Sequence, residues 1–228
     1  ANMYSQPSPG GGGILQEVLQ RPSVNYMPGS GRGFSRTGGQ VPGLVNSIDM
    51  IHIPTLGNAF DFGDLVATTR MKAGCADTVR ASLSGGYEPG YVNTIETVVF
   101  ASHGNGSDHG DLTLARYGGA CFNNSTRGVH GAGAGASPLG DGSNVVDYWT
   151  IATTGNASDF GDISAARQYV GALSSSTRGV IAGGNEEPAS VNTIDYFTTA
   201  STGDYTDFGD LSSARAVWGG GVSSGIRG

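Results

Sequence analysis

Two carboxylates three residues apart, with a guanidinium close behind, recur four times in this chain. The phrases are Asp61-Phe62-Gly63-Asp64 with Arg70, Asp108-His109-Gly110-Asp111 with Arg116, Asp159-Phe160-Gly161-Asp162 with Arg167, and Asp207-Phe208-Gly209-Asp210 with Arg215. Paired carboxylates suit Ca²⁺, but that ion takes about six or more oxygens, and each phrase brings two carboxylates. The Asp-Phe-Gly triplet also belongs to protein kinases, yet no Gly-rich phosphate loop or His-Arg-Asp loop accompanies it. A phrase present in every copy fits architecture better than a single catalytic centre. We therefore read the first Asp as the cap of a tight turn. The second (Asp64, Asp111, Asp162, Asp210) is read as partner of the Arg that follows.

The other groups capable of chemistry are few. Cys75 and Cys121 each lie five residues after a repeat Arg, where the other copies hold Ala172 and Gly220. A position filled by Cys, Cys, Ala and Gly selects for small size, so two buried free thiols are expected. The histidines are His52, His103, His109 and His130, and His103 and His109 flank Asp108 as turn decoration. No Ser-His-Asp or Cys-His arrangement stands out, and we expect no catalytic residue, metal or cofactor.

Loops following a Gly pair are the candidate contact elements, because they vary while the rest repeats. Tyr87, Glu88 and Tyr91 lie in one, Asp141 in another, Glu186 and Glu187 in a third. Tyrosines can stack on sugar rings, and carboxylates can accept sugar hydroxyls.

Composition bounds what can position these groups. The chain has 228 residues, 40 of them glycine, and only 14% charged residues. That favours short strands and tight turns over helices. The one helical candidate, Ile14 to Gln20, is short. A net charge of −7 argues against binding nucleic acid through phosphates. No apolar run approaches membrane-spanning length.

The first Asp of the phrase recurs after 47, 51 and 48 residues, and repetition at that period marks a repeat architecture. Each unit opens with Arg and an apolar run ending in a Gly pair, as in Arg178 to Gly184. A variable loop follows, then an alternating strand such as Val191-Asn-Thr-Ile194-Asp-Tyr196, a Gly-bearing turn, and the Asp-Phe-Gly-Asp phrase. After the second Arg comes another short apolar run, Tyr169 to Leu173 in one unit. Four short strands per unit cannot bury both faces alone, so units must stack face to face.

The Gly-Gly run, the Asn-x-Ile-Asp-Tyr strand, the aromatic outer strand and the Arg opening the inner strand resemble the kelch motif over residues 32–228. The phrasing Asn-Thr-Ile-Asp-Tyr, then Thr-Thr-Gly-Asn-Ala-Ser-Asp-Phe-Gly-Asp, is also similar to repeats in virion structural and tail-fibre proteins of bacteriophages, notably cyanophages. The resemblance implies an all-β fold: a four-bladed kelch-like β-propeller with blades at about 32–69 plus 215–228, 70–115, 116–166 and 167–214. The N-terminal piece lacks an inner strand, and Ala216 to Val222 supplies one, so pairing of the two is expected to close the ring. Pairing between chains is the rival.

Residues 1–31 form an extended arm that would dock on other virion proteins. The function expected is non-enzymatic: a structural or adhesive component of a phage particle, located on the virion and oligomeric in its assembly. Its propeller loop face would be offered to host glycan. The alternatives are a carbohydrate-binding or carbohydrate-active propeller and a self-assembling filament subunit.

Overall fold

The computed structural model describes residues 32–36, 43–52, 55–102, 104–136, 140, 142–218 and 221. The N-terminal arm with its short helical candidate, His103, Asp141 and the end of the chain lie outside the described residues. Within them the protein is all-β, without a helix.

The strands fall into consecutive antiparallel sheets that follow the repeat. The first sheet is β1 (Arg32–Arg36), β2 (Ser47–His52) and β3 (Phe60–Asp64). The second is β4 (Ala73–Ala76), β5 (Arg80–Ser84), β6 (Thr94–Val99) and β7 (Ser107–Asp111). A two-residue strand, β8 (Arg116–Tyr117), precedes the third sheet. That sheet joins β9 (Ala120–Asn123), β10 (Arg127–Gly131), β12 (Ser143–Thr150) and β13 (Ser158–Arg167), while β11 (Ala134–Gly135) pairs back to β8. The fourth holds β14 (Gly171–Ser174), β15 (Arg178–Ala182), β18 (Thr193–Thr198) and β19 (Thr206–Asp210), with a hairpin of β16 (Asn185–Glu186) and β17 (Ala189–Ser190).

In each four-stranded sheet the strands lie side by side in sequence order, the arrangement that antiparallel pairing with short connections allows. Among the described residues the first sheet has the last three of these strands. The proposed complement, Ala216 to Val222, lies partly outside the described residues. Its described part is not a strand: Val217 and Trp218 both donate their N–H to the Tyr169 carbonyl, at 2.8 and 3.0 Å.

Each of the four main sheets carries a β-bulge at the same place, and the third has a second register shift between Ser143 and Val145. The register jumps between Ile48 and Asp49, Ile95 and Glu96, Val146 and Asp147, and Ile194 and Asp195. The extra residue opposite is Phe62, His109, Phe160 or Phe208, so the bulge re-aims the third-last residue of the phrase. It turns Phe62 and Phe160 into the core, where both are buried. His109 holds the same position and is 3% exposed, so it is a core side chain, correcting its reading as turn decoration.

The sheets pack face to face. Ile48, Met50 and Phe62 of the first meet Leu83 and Val98 of the second. Ile95 and Leu112 meet Trp149 and Ile151, and Phe122, Val146 and Phe160 meet Ile181 and Phe197. Strand β6 shows the consequence: Ile95, Glu96, Thr97 and Val98 are all buried, because both faces of an inner sheet are covered. The inner strands adjoin one another, β9 lying between β4 and β14.

Candidate functional site

The repeat carboxylates do two different jobs. The first Asp of each phrase accepts a hydrogen bond from the glycine two residues on: Asp61 from Gly63 at 3.1 Å, Asp108 from Gly110 at 3.1 Å, Asp159 from Gly161 at 3.2 Å, Asp207 from Gly209 at 3.0 Å. That is the expected turn cap. The second Asp does not pair with the Arg that follows. Arg116 meets Asp147 at 2.9 Å and Arg167 meets Asp195 at 2.6 Å, both pairs buried, and both acids come from the alternating strand. Burial draws each guanidinium below its ordinary pKa, and the facing carboxylate opposes it.

In the second unit Lys72 takes the role, 3.1 Å from Glu96 and equally buried. Arg70 instead lies over the Tyr87 ring, 4.9 Å from its centroid. Asp64 and Arg70 are one residue further apart than Asp111 and Arg116, and that extra residue puts Arg70 in register with Gln168 rather than Arg167.

The second Asp serves the joint between sheets through its backbone. The N–H groups of Asp64, Asp111 and Asp162 donate to Asn105, Asn156 and Asp204 of the next unit's turn, at 3.0, 3.1 and 3.1 Å. Gly104, Gly155 and Gly203 of the same turns donate to the carbonyls of Phe62, His109 and Phe160, at 3.1, 2.7 and 2.7 Å. The strand acid completes the joint: Glu96 accepts from Val66 N–H at 2.9 Å, Asp147 from Thr113 N–H and hydroxyl at 3.1 and 2.6 Å, Asp195 from Ser164 at 3.1 and 2.7 Å. One acid thus holds a cation within its own unit and one donor (Glu96) or two (Asp147, Asp195) of the unit before. Burying the Asp162 carboxyl beside Asp204 and Asp159 pushes its pKa up, as expected of an acid without a counter-cation.

Aromatic residues gather on the loop side. Tyr87 contacts Tyr91 (5.4 Å between centroids) and Tyr117 (5.8 Å), Tyr91 stacks on Tyr117 (5.6 Å), Tyr117 meets Tyr169 (6.1 Å), and Tyr169 stacks on Trp218 (3.8 Å). The Tyr117 and Tyr169 hydroxyls are 3.1 Å apart. Tyr91 and Trp218 stand out at 38% and 63% exposure. Backbone bonds fix the strip: Tyr169 N–H donates to Gly118 at 2.6 Å, and Gly118 N–H to Met71 at 3.5 Å. The strip contains Tyr87 and Tyr91 from the sequence reading, and adds Tyr117, Tyr169 and Trp218. These three follow repeat arginines at different distances, one, two and three residues on, so no fixed spacing flags them.

The remaining loop candidates are dispersed. Glu88 is half-buried in a tight turn and donates its N–H to Gly90 at 2.7 Å. Glu186 and Glu187 are exposed on the β16–β17 hairpin, where the Glu186 charge acts on Arg167.

Behind the strip lies a cavity of about 460 Å³, walled by Tyr169, Trp218, Met71, Phe34 and the inner strands β4 and β9. Cys75 and Cys121 line it as free, half-buried thiols. They are not equivalent positions: Gly74, Cys121 and Ala172 face Leu83, His130 and Ile181 across their ladders, so Cys75 matches Phe122. Sequence reasoning also missed a cluster here. Cys121 Sγ is 3.3 Å from Ser84 Oγ and 3.7 Å from His130 Nδ1, and Ser84 is 2.8 Å from the same nitrogen. Burial raises the Cys121 thiol, but hydrogen bonds with Cys75, His130 and Ser84 outweigh it and bring the pKa well below the usual thiol value. Cys75, bonded to Cys121 and buried, is driven up. Among the described residues His130 Nε2 has no hydrogen-bond partner, and none of their carboxylates orients the ring as in a catalytic triad.

Comparison with family models and with curated proteins finds no match for the chain.

Proposed function

We propose that the chain is a non-enzymatic structural and adhesive protein of a bacteriophage particle, whose kelch-like units radiate as blades of a β-propeller and offer a glycan-binding loop face. The observation that carries the adhesive reading is the strip Tyr87, Tyr91, Tyr117, Tyr169 and Trp218, which runs across successive units and leaves two of its rings exposed. Aromatic faces present C–H-binding surface to sugar rings at low conformational cost. The charged repeat residues support a structural role, since the pairs Lys72–Glu96, Arg116–Asp147 and Arg167–Asp195 are buried between strands and turned away from any ligand. Placement on a virion rests on the resemblance of the repeat phrasing.

The test is a glycan array probed with the purified chain, followed by titration of any retained sugar. Tyr91→Ala and Trp218→Ala are expected to weaken binding about tenfold or more each, as loss of a stacking ring does. Retention of no glycan, or retention unchanged in both variants, rejects the loop face as the adhesive surface. An antibody to the chain should label purified phage particles, and labelling confined to free cellular protein rejects the virion assignment.

A further inference from the structure

The joint between successive sheets is built three times from the same parts, and the two ends of the stack expose its two halves. The donor half is an outer strand with the residue two places beyond it: Phe62 carbonyl, Asp64 N–H and Val66; His109 carbonyl, Asp111 N–H and Thr113; Phe160 carbonyl, Asp162 N–H and Ser164. The acceptor half is the strand acid and the turn eight residues later: Glu96 with Gly104-Asn105, Asp147 with Gly155-Asn156, Asp195 with Gly203-Asp204. The fourth unit carries a donor half in Phe208, Asp210 and Ser212. The first unit carries an acceptor half in Asp49 and Gly57-Asn58, at the same spacing.

These two halves do not meet within the chain. Phe208 is 55% exposed, whereas its equivalents Phe62 and Phe160 are buried. Ile51, which matches Phe197 and Trp149 at the facing position, is 46% exposed, whereas those two are buried. A Cβ added to Gly63, Gly110 or Gly161 would collide with the backbone of Gly104, Gly155 or Gly203, but one added to Gly209 meets nothing within 4 Å. The charges are complementary too. Arg215 stands where Arg116 and Arg167 stand, yet it is exposed, and among the described residues its guanidinium bonds only its own turn, Ser212 and Ser213. Asp49 stands where Asp147 and Asp195 stand, and it is exposed.

We infer that the end faces dock head to tail on a second copy of this chain. Asp49 of one copy receives Arg215 and Ser212 of the next, and Gly57-Asn58 seats on the Phe208–Asp210 strand. An interface of this heterologous kind propagates to a ring or a filament. The second copy is favoured over the chain's own opposite end because both halves are present in one molecule and remain apart.

Charge reversal tests it. Asp49→Arg and Arg215→Asp each set like charges against each other at every self-contact, and both positions are exposed, so each variant should fold with an unchanged circular dichroism spectrum. By sedimentation velocity the wild type is expected to grow with concentration, and each variant alone to associate at least tenfold more weakly. An equimolar mixture should recover association, because both of its cross-contacts are again opposite in sign. A mixture that stays monomeric overturns the inference. So does stability lost in each single variant and regained only when both changes sit in one chain, which marks closure within the chain. Because the inference rests on the stacked-unit reading but not on glycan, the same samples are tested for sugar binding. Binding without association rejects the docking alone, and association without binding rejects the adhesive reading alone.

Discussion

Asp195→Ala removes a carboxylate at the centre of three contacts. It strips Arg167 of a partner at 2.6 Å where both groups are buried, and it strands the N–H and hydroxyl of Ser164. Breaking a buried pair from one side costs about 3–5 kcal/mol, because the remaining charge stays desolvated. With a urea dependence of about 2 kcal/mol per molar, the midpoint for the fourth sheet should fall by about 2 M. Asp162→Ala is the control. Had the second acid of the phrase held the Arg, as the sequence suggested, this substitution would be the costly one. The structure gives Asp162 two carboxylate neighbours and a raised pKa, so its removal is expected to change stability by less than about 0.5 kcal/mol. Urea unfolding followed by tryptophan fluorescence measures both. A midpoint shift in Asp195→Ala below about 0.5 M, or an equal shift in Asp162→Ala, refutes the assignment of the ion pair.

Three further outcomes are expected. His109 has its pKa lowered by burial, so the unfolded chain binds the extra proton first and stability falls as pH drops below about 6.5; His109→Phe should flatten the melting temperature between pH 7 and 5, and an unchanged slope contradicts this. Gly110→Ala combines a φ of 146° with a clash against Gly155, whereas Gly209→Ala at φ 128° meets open space. The former should cost about 2 kcal/mol more than the latter in thermal melts of the monomer, and equal costs would remove the argument for close docking. At neutral pH iodoacetamide should modify Cys121 before Cys75, as peptide mapping reads, and the reverse order contradicts the hydrogen bonding around Cys121.

The strand order and the turn caps were legible because each depends on neighbours in sequence: alternation gives a strand, and an Asp two residues before a glycine gives a cap. The partner of each Arg was not, because Arg116 and Asp147 are 31 residues apart and meet only after two strands have paired. Their distance along the chain is set by a loop of variable length. The role of His109 was hidden because a bulge, not alternation, decides which face that position takes. The mismatch of Cys75 and Cys121 comes from the longer spacing before Arg70. That extra residue is visible in the sequence, but its effect depends on the ladder pairing Arg70 with Tyr87. The aromatic strip combines a loop tyrosine pair with residues after three different arginines, which no linear pattern brings together.

The claim on which the rest depends is that the strand acid of one sheet grips the turn that follows the outer strand of the sheet before it. A double-mutant cycle between Thr113 and Asp147, read by urea unfolding, measures that grip across the second and third sheets. A coupling of about 1.5–3 kcal/mol is expected for a hydroxyl bonded to a buried carboxylate. Additivity within about 0.3 kcal/mol would mean that the sheets are not held together in this way.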